Sequence, residues 1–297
     1  RTFDFDSNND LWTNDYTGTS SKIYELDSTT GNVISSFNSI RHMKGGVEVQ
    51  GSYIYGSAYS DNGIKRWSQS GGSYSNTQTQ YRPYGFDFDS IGNVCWLDYT
   101  GSHGECSGAG YRPAYNVGPY PHALAVNHAS NNDVWITDSN GVLWKFPINS
   151  GSGTQIATGI TSGVSLIDMD STGLVYFLNK GTGEVDIYSA GGTYQTSFGS
   201  IGTGTGQWAS PDFLKVDKND DIWIADYIAP YNTIFYKFSN PPPAAPTAPQ
   251  TLTTSQSVAN EIILNYLAPS SSGTAPITNY KIYLGRPLID TIGNVLT

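Results

Sequence analysis

The chain repeats itself about every 42 residues, and this repeat restricts its fold more than any other feature. Each copy has an apolar strand interrupted by acidic residues, a polar turn, and a second strand with a bulky aromatic residue. The aromatic residues are 43, 41, 39, 41 and 47 positions apart, and they are Trp12, Tyr55, Trp96, Trp135, Tyr176 and Trp223. Such self-similarity at a nearly fixed period indicates a repeat architecture.

Each copy contains segments with the residue pattern of β-strands. Aromatic and β-branched residues alternate between Gly, Asn and Asp turns, and no helical period extends beyond a turn. Four strands in a unit of about 40–45 residues make up one blade of a β-propeller. Six units occupy residues 1–240, so the sequence predicts an all-β, six-bladed propeller.

The sixth unit has only three strand segments before residue 240. We expect the missing outer strand to come from residues upstream of Arg1; the alternative is a blade left short. The chain starts with Arg rather than Met, so we expect a processed or partial product.

The segment GQWASPDFLKVDKNDDIWIAD, residues 206–226, resembles the NHL repeat, and residues 82–98 and 120–138 are shorter matches. The resemblance covers most of the first 240 residues and implies an NHL-like propeller. Propellers of this kind bind proteins, RNA or sugars and occasionally catalyse.

A second module follows a proline-rich linker at residues 241–248, whose composition predicts an extended, semi-rigid spacer. Residues 249–297 resemble the first half of a fibronectin type III domain, with strand patterns at 261–266 and 276–283. Such sandwiches need about 100 residues and seven strands, so we expect an incomplete domain. Either the chain ends within it, or a neighbouring subunit donates the missing strands.

The composition excludes several classes of partner. With 15 Lys and Arg against 25 Asp and Glu, the net charge is -10, which disfavours nucleic acid because phosphate binding needs clustered basic residues. No apolar run reaches the roughly 18 to 20 residues that span a bilayer, so we expect no membrane span in this segment. We expect other protein subunits or surface glycans as partners, with assembly into a homo-oligomer or filament.

The two cysteines are Cys95 and Cys106. By alignment they take the places of Leu11 and Ile23, on adjacent second and third strands of a blade. A cross-strand disulfide is expected, the alternative being two buried thiols, and a disulfide would indicate an oxidising, extracellular or cell-surface location.

A binding face is predicted where the chain enters each blade and where the second strand turns into the third, because these connections share one face of a propeller. Exposed Tyr, Trp, Arg and His suit glycan stacking or a protein contact. The candidate ligand- or partner-binding residues are Arg41, His42, Arg82, Tyr84, Tyr99, His103, Tyr120, His122, Trp208, Tyr227 and Tyr231.

Catalysis and metal binding are weighed against this binding function. Residues 121–124 and 135–138 are similar to segments of streptogramin B lyases, whose chemistry needs a further His and Glu pair that holds a metal. Glu105 and Glu184 are the glutamates whose loops might reach the binding face, and neither lies in a matching motif. Asp-rich turns at 4–10 and 217–221 offer oxygen ligands for Ca²⁺, but turn formation by Asp and Asn is the favoured explanation.

The sequence therefore predicts a non-catalytic extracellular surface or structural protein, not an enzyme, whose propeller mediates adhesion, recognition or assembly in a filament, coat or virion appendage. A lectin-like glycan-binding head and a streptogramin-lyase-like enzyme are the alternatives. No catalytic residue, metal site or cofactor is assigned, with Ca²⁺ left as an option.

Overall fold

The structure is a computed structural model of the 297-residue chain. It describes residues 2–15, 21–40, 43–58, 63–78, 83–98, 103–107, 115–117, 121–129, 132–157, 166–204, 206–228, 232–239, 250–255, 263–267, 279–283 and 288–293. The chain divides into two compact units, Arg1–Ser239 and Asn240–Thr297. Across the described residues, no helix is long and apolar enough to cross a membrane.

The first unit is a six-bladed β-propeller, as the sequence predicts. Each of the first five blades is a four-stranded antiparallel sheet with its strands in sequence order. Blade 1 comprises β1 (Phe3–Phe5), β2 (Leu11–Asn14), β3 (Lys22–Leu26) and β4 (Val33–Asn38). Blade 2 comprises β5 (Met43–Gln50), β6 (Tyr53–Ala58), β7 (Gly63–Ser68) and β8 (Gly71–Gln78). Blade 3 comprises β9 (Pro83–Phe88), β10 (Val94–Asp98), β11 (His103–Cys106) and β12 (Tyr115–Asn116).

The remaining blades continue this order. Blade 4 comprises β13 (Ala123–Asn127), β14 (Asp133–Thr137), β15 (Leu143–Phe146) and β16 (Thr154–Ala157). Blade 5 comprises β17 (Leu166–Met169), β18 (Val175–Asn179), β19 (Glu184–Tyr188) and β20 (Tyr194–Phe198). A short parallel pair, β21 (Ser200–Ile201) and β22 (Gln207–Trp208), leads into blade 6. Blade 6 has three strands in the described residues: β23 (Pro211–Val216), β24 (Ile222–Ile228) and β25 (Asn232–Phe238).

The core lies between successive blades, where the repeated aromatic residues pack. Trp12, Trp96 and Trp135 are at most 1% exposed, and Tyr176 is fully buried. The ring closes between blades 6 and 1, where Phe3 contacts Phe213 and Phe235 with ring centroids 5.2 Å apart in each pair. Aromatic pairs of this kind add to the stabilisation from buried apolar area.

The predicted disulfide is present between Cys95 and Cys106, which lie directly opposite each other on β10 and β11. The alignment behind that prediction needs one correction. Cys95 lies opposite Asp87 as Trp12 lies opposite Asp4, so Cys95 takes the place of Trp12 rather than Leu11. Cys106 then takes the place of Glu25, the partner of Trp12, rather than that of Ile23. The bond closes a loop of 11 residues, and cross-links of this kind stabilise a fold by restricting the unfolded chain.

The second unit contains two antiparallel strand pairs in its described residues. β26 (Gln250–Ser255) pairs with β27 (Ile263–Leu267), and β28 (Asn279–Tyr283) pairs with β29 (Leu288–Gly293). The predicted strands at 261–266 and 276–283 therefore correspond to β27 and β28. These pairs do not make a fibronectin type III sandwich, which stays a prediction.

Candidate functional site

The six innermost strands surround a central channel with two openings. The loop face carries the connections into each blade and those between second and third strands; the turn face carries the connections between first and second strands. A cavity of about 150 Å³ opens on the loop face and one of about 450 Å³ on the turn face. Glu48, Asp87, Asp168 and Lys215 line both cavities and so separate them.

These separating residues come from one position of the repeat, next to the last residue of the first strand or two before it. That position holds an acid in four blades, Ala125 in blade 4 and Lys215 in blade 6. We call Asp4, Glu48, Asp87, Asp168 and Lys215 the channel cluster. Lys215 Nζ lies 2.7 Å from Glu48 Oε2, 3.6 Å from Asp4 Oδ1 and 3.9 Å from Asp168 Oδ2.

Three of the channel carboxylates also connect neighbouring blades. Asp4 accepts a hydrogen bond from the backbone N–H of Val49 at 2.6 Å. Asp87 accepts one from Val126 and Asp168 one from Val216, each at 2.7 Å. The cluster thus ties blades 1 to 2, 3 to 4 and 5 to 6, and Lys215 joins blade 6 to blades 1, 2 and 5.

Burial among like charges shifts the protonation of this cluster. Burial raises the pKa of Asp168 to about 6, with a smaller opposing effect from Lys215. Burial likewise raises the pKa of Asp87 and raises that of Glu48 well above its usual range. For Lys215, burial acts to lower the pKa, but the surrounding carboxylates outweigh it, so its pKa is well above the usual range. The ammonium group of Lys215 is therefore retained, while burial disfavours the charged forms of Glu48, Asp87 and Asp168.

The loop-face cavity has a polar rim above this cluster. We call His122, Lys180 and Asp212 the rim residues. His122 directly precedes β13, Lys180 directly follows β18, and Asp212 lies at the start of β23. Lys180 Nζ is 2.6 Å from Asp212 Oδ1, and these two side chains are 24% and 37% exposed. A donor and an acceptor are thus presented side by side to solvent.

His122 is half-buried in this rim, and its backbone N–H donates to the carbonyl of Thr137 at 2.8 Å. Burial lowers the pKa of His122, Lys180 lowers it further, and Asp138 opposes both. The imidazole is therefore neutral at pH 7, able to donate one hydrogen bond and accept another.

The sequence-predicted site residues do not all lie at the loop-face cavity. His122 lines the loop-face cavity, and its role in binding stays a prediction. Tyr227 lies near the end of β24 and is partly exposed, but it does not line this cavity. Tyr84 lies on β9 and His103 starts β11, and only their backbones are described. The predicted residues that lie outside the described part of the chain are Arg41, His42, Arg82, Tyr99, Tyr120 and Tyr231.

Trp208 was predicted on the binding face, and the structure corrects this. Its side chain has no exposed surface, because the pairing of β22 with β21 directs it inward. There it packs against Phe198, Tyr236 and Phe238, with ring centroids 5.7–6.5 Å apart. Trp208 is a core residue of blades 5 and 6.

Sequence reasoning missed Lys180, Asp212 and the whole channel cluster. Lys180 and Asp212 carry no motif, so nothing in the sequence singles them out. The channel cluster has a signal: in the aligned repeats, one column reads Asp4, Glu48, Asp87, Ala125, Asp168 and Lys215. When charged residues recur at one position of an otherwise apolar strand, their side chains are predicted to face a common axis.

The aspartates of the Asp-rich turns accept hydrogen bonds from the backbone. We call Asp6, Asp89, Asp170 and Asp217 the turn aspartates; each follows its channel position by two residues, and each accepts two backbone N–H bonds from its own turn. Asp6, Asp10 and Glu25 do bring carboxylate oxygens within 4.8 Å of one another. Because the same turn forms around Asp89, Asp170 and Asp217, turn formation accounts for the motif, and Ca²⁺ binding remains a hypothesis.

The metal that the lyase resemblance implies does not fit the described rim. The cavity is lined by one described histidine, His122, and one described glutamate, Glu48. Glu48 is bonded to Lys215, and Asp212 is bonded to Lys180, so a divalent cation would have to displace two ammonium groups. Glu105 and Glu184 pair within their own blades, opposite Trp96 and Asn179, and do not line this cavity.

No protein-family model matches the chain, and no curated protein matches its sequence. Solved propellers do match it. A streptogramin B lyase structure is 19% identical, with a TM-score of 0.56 over 79% of this chain and 81% of that one. A catalytically inactive virginiamycin B lyase from Staphylococcus aureus, solved with quinupristin, is 15% identical, with a TM-score of 0.55 over 89% and 90%. The calcium-binding protein regucalcin from Agrobacterium tumefaciens is 12% identical, with a TM-score of 0.53 over 76% and 81%.

These similarities show the fold and correct one expectation. At such identities, the chain is shown to share the streptogramin-lyase-like propeller fold and nothing finer. The expectation that the protein is not an enzyme is wrong as an inference from architecture, because the similar structures include lyases. The same fold also carries functions as different as that of a calcium-binding protein and that of a WD40 domain.

Proposed function

We propose that the propeller is the recognition head of an extracellular or cell-surface protein, displayed on a fibronectin type III-like stalk. Its ligand site is the loop-face cavity, and its ligand is a hydroxyl-rich group such as the terminal sugar of a surface glycan. The observation that carries the proposal is the convergence of the three rim residues on one small cavity.

The arrangement of charges favours a hydroxyl-rich ligand. Asp212 accepts and Lys180 donates, so two neighbouring hydroxyl groups can bond to the pair without changing its net charge. Neutral His122 adds a third polar contact. Phe213 and Leu124 supply apolar surface in the same cavity, which suits the C–H face of a sugar ring.

The size of the cavity points the same way. Sites for drug-sized ligands enclose about 300–1,000 Å³. At about 150 Å³ the described loop-face cavity is smaller, so it suits one sugar residue or one protruding group of a larger partner. A surface that binds one group at a time gains strength through many copies, as in an adhesive coat or filament.

A glycan array tests this proposal. The fluorescently labelled full chain should bind a restricted set of glycans, and Asp212→Ala and Lys180→Ala should each weaken binding roughly tenfold or more, the scale of one hydrogen bond to a charged group. Lys218→Ala is the matched control, because Lys218 is exposed on the turn face. Absence of glycan binding, or an equal loss in the control, would contradict the proposal.

Lyase-type catalysis is the second candidate, favoured by His122. A half-buried, neutral imidazole at the channel mouth can act as a general base, and similar folds belong to lyases. Incubation with quinupristin, followed by liquid chromatography and tandem mass spectrometry, tests this directly. A new product formed by wild type and lost in His122→Ala would establish catalysis, and unchanged substrate would remove this candidate.

A further inference from the structure

Blade 2 differs from the other blades in its charge. It spans residues 43–78, and there the basic residues outnumber the acidic ones, with Lys44, Lys65 and Arg66 against Glu48 and Asp61. In the residue range of every other blade, acidic residues outnumber basic ones, in line with the net charge of -10. Glu48 is moreover paired with Lys215 in the channel. Blade 2 is therefore the part of the ring that attracts a negatively charged ligand.

One of these basic residues, Arg66, has no acidic partner. It lies on β7 and is partly exposed, and its Nε atom is buried without a hydrogen-bond partner. Among the described residues, no carboxylate forms an ion pair with its guanidinium group. Its neighbour Lys65, in contrast, donates a hydrogen bond to Asn76 Oδ1 at 2.7 Å. Because arginine stays protonated in proteins, Arg66 presents a permanent positive charge that the described residues leave unpaired.

The ring of Tyr53 holds this guanidinium group in place. Arg66 lies opposite Tyr55 of β6, and Tyr53 is two residues away on the same strand and the same face. The Cζ atom of Arg66 is 4.4 Å from the centroid of the Tyr53 ring. Tyr53 is 41% exposed, so the pair can be reached from solvent. Stacking of this kind fixes the plane of the guanidinium group and leaves its terminal N–H groups for a ligand.

Two serines flank the stacked pair. Ser75 of β8 lies opposite Arg66 and is exposed, and Ser68 of β7 lies opposite Tyr53. Residues that lie opposite each other on paired strands have their side chains on the same face of the sheet. A planar cation, an exposed aromatic ring and two hydroxyl groups thus share the outer part of one face of blade 2. Hydroxyl groups beside an aromatic ring suit a sugar better than the apolar side chains of a peptide.

We propose that this face of blade 2 binds an acidic saccharide through the carboxylate of a uronate sugar. Arg66 pairs with the carboxylate through two parallel N–H bonds, Tyr53 packs against the sugar ring, and Ser75 bonds to a sugar hydroxyl. The site is separate from the loop-face cavity. It therefore does not depend on the glycan binding proposed there.

A titration with an acidic trisaccharide tests the proposal. The probe is trigalacturonic acid, and its matched control is the fully methyl-esterified trisaccharide, which has the same sugars without the charges. The full chain has six arginines, so labelling them with ¹⁵N gives few Nε–Hε signals, and Arg66→Lys assigns that of Arg66. The probe should shift this signal saturably and bind at least roughly tenfold more tightly than the ester or acetate. Equal binding of the ester would show that the carboxylate is not recognised, and equal binding of acetate that the sugar is not; either would overturn the proposal.

Protein variants locate the contacts, with calorimetry measuring the affinity for the probe. Arg66→Met and Arg66→Lys should each weaken binding roughly tenfold or more, because lysine keeps the charge but lacks the planar pair of donors. Tyr53→Ser should weaken it about threefold or more. Lys22→Met, which removes an exposed lysine of blade 1, should leave it unchanged. An unchanged affinity in Arg66→Lys, or an equal loss in Lys22→Met, would overturn the proposal. If Arg66→Met does not fold, the conservative Arg66→Lys and the wild-type titration decide.

Discussion

The channel cluster and the turn aspartates are two sets of carboxylates from one repeated strand, only two residues apart, yet their environments are opposite. The channel carboxylates of Asp4, Asp87 and Asp168 each accept one backbone N–H from the next blade and face other acids around one ammonium group. Asp217 accepts two backbone N–H bonds and two more from Trp223 and Asn9.

The difference shows that donors, rather than burial alone, decide what a buried carboxylate contributes. Burial acts to raise the pKa of Asp217, but its hydrogen bonds outweigh that effect and the pKa is lowered. At Asp168, where donors are fewer, burial prevails and the pKa rises to about 6. Asp217 therefore stabilises the fold at neutral pH, while the channel cluster depends on a single lysine.

Removing that lysine should have the largest effect. Lys215→Met leaves Asp4, Glu48 and Asp168 buried without their cation, and loss of one partner of a buried ion pair costs about 3–5 kcal/mol. Urea unfolding at pH 7 measures the free energy of unfolding. The loss should be smaller at pH 5, where Asp168 is protonated.

The control for this comparison is Lys218→Met, which removes an exposed lysine near the same channel. It should leave the free energy of unfolding nearly unchanged. Equal effects of the two substitutions would show that the channel cluster contributes no more to the free energy of unfolding than an exposed lysine does.

A turn aspartate should come second. Asp217→Ala removes the acceptor of four hydrogen bonds, including that of the buried Trp223 indole, and should cost about 1–3 kcal/mol by leaving buried donors unsatisfied. Because the pKa of Asp217 is lowered in the folded state, the stabilisation it provides is present above its unfolded pKa and is lost as the pH falls. Asp27→Ala, at an exposed turn that also binds two backbone N–H groups, should cost less. Equal costs would mean that burial of the donors is irrelevant.

The third prediction concerns the pH dependence of stability at Asp168. The pKa of Asp168 is about 6 in the folded state, whereas the unfolded chain releases this proton near the ordinary pKa of 3.8. The stability contributed by this group therefore falls as the pH rises through that window. In Asp168→Asn this fall should be absent. The difference in the free energy of unfolding between the variant and wild type should therefore change by roughly 1–3 kcal/mol between pH 4 and pH 7. Urea titrations at four pH values give the slope, and parallel curves for the two proteins would refute the shifted pKa.

The propeller could be predicted because its signals are local. The spacing of Trp12, Trp96 and Trp135 reflects a strand that returns once per blade, and the Cys95–Cys106 bond follows from adjacency of the second and third strands. Trp208 could not be placed in the same way. Its inward orientation depends on the pairing of β21 with β22, which has no counterpart among the described residues of the other blades.

The candidate site was less predictable because ring closure creates it. Lys215 meets Glu48 across 167 positions of sequence, and Lys180 meets Asp212 across 32. Of the rim residues the sequence singles out His122, since a histidine that enters a first strand lies on the loop face. The recurring charged position of the repeat also predicts the channel cluster, whereas no pattern marks Lys180 or Asp212.

Ligand binding at the loop face can be followed in the histidine NMR spectrum. The chain has four histidines, so ¹³C-imidazole labelling gives few signals, and His122→Gln and His128→Gln assign two of them. His128 lines the turn-face cavity and bonds the carbonyl of Phe88, which makes it an internal control. Addition of the best array glycan should shift the His122 signal and leave that of His128 in place; a shift at His128 alone, or at neither, would contradict the account.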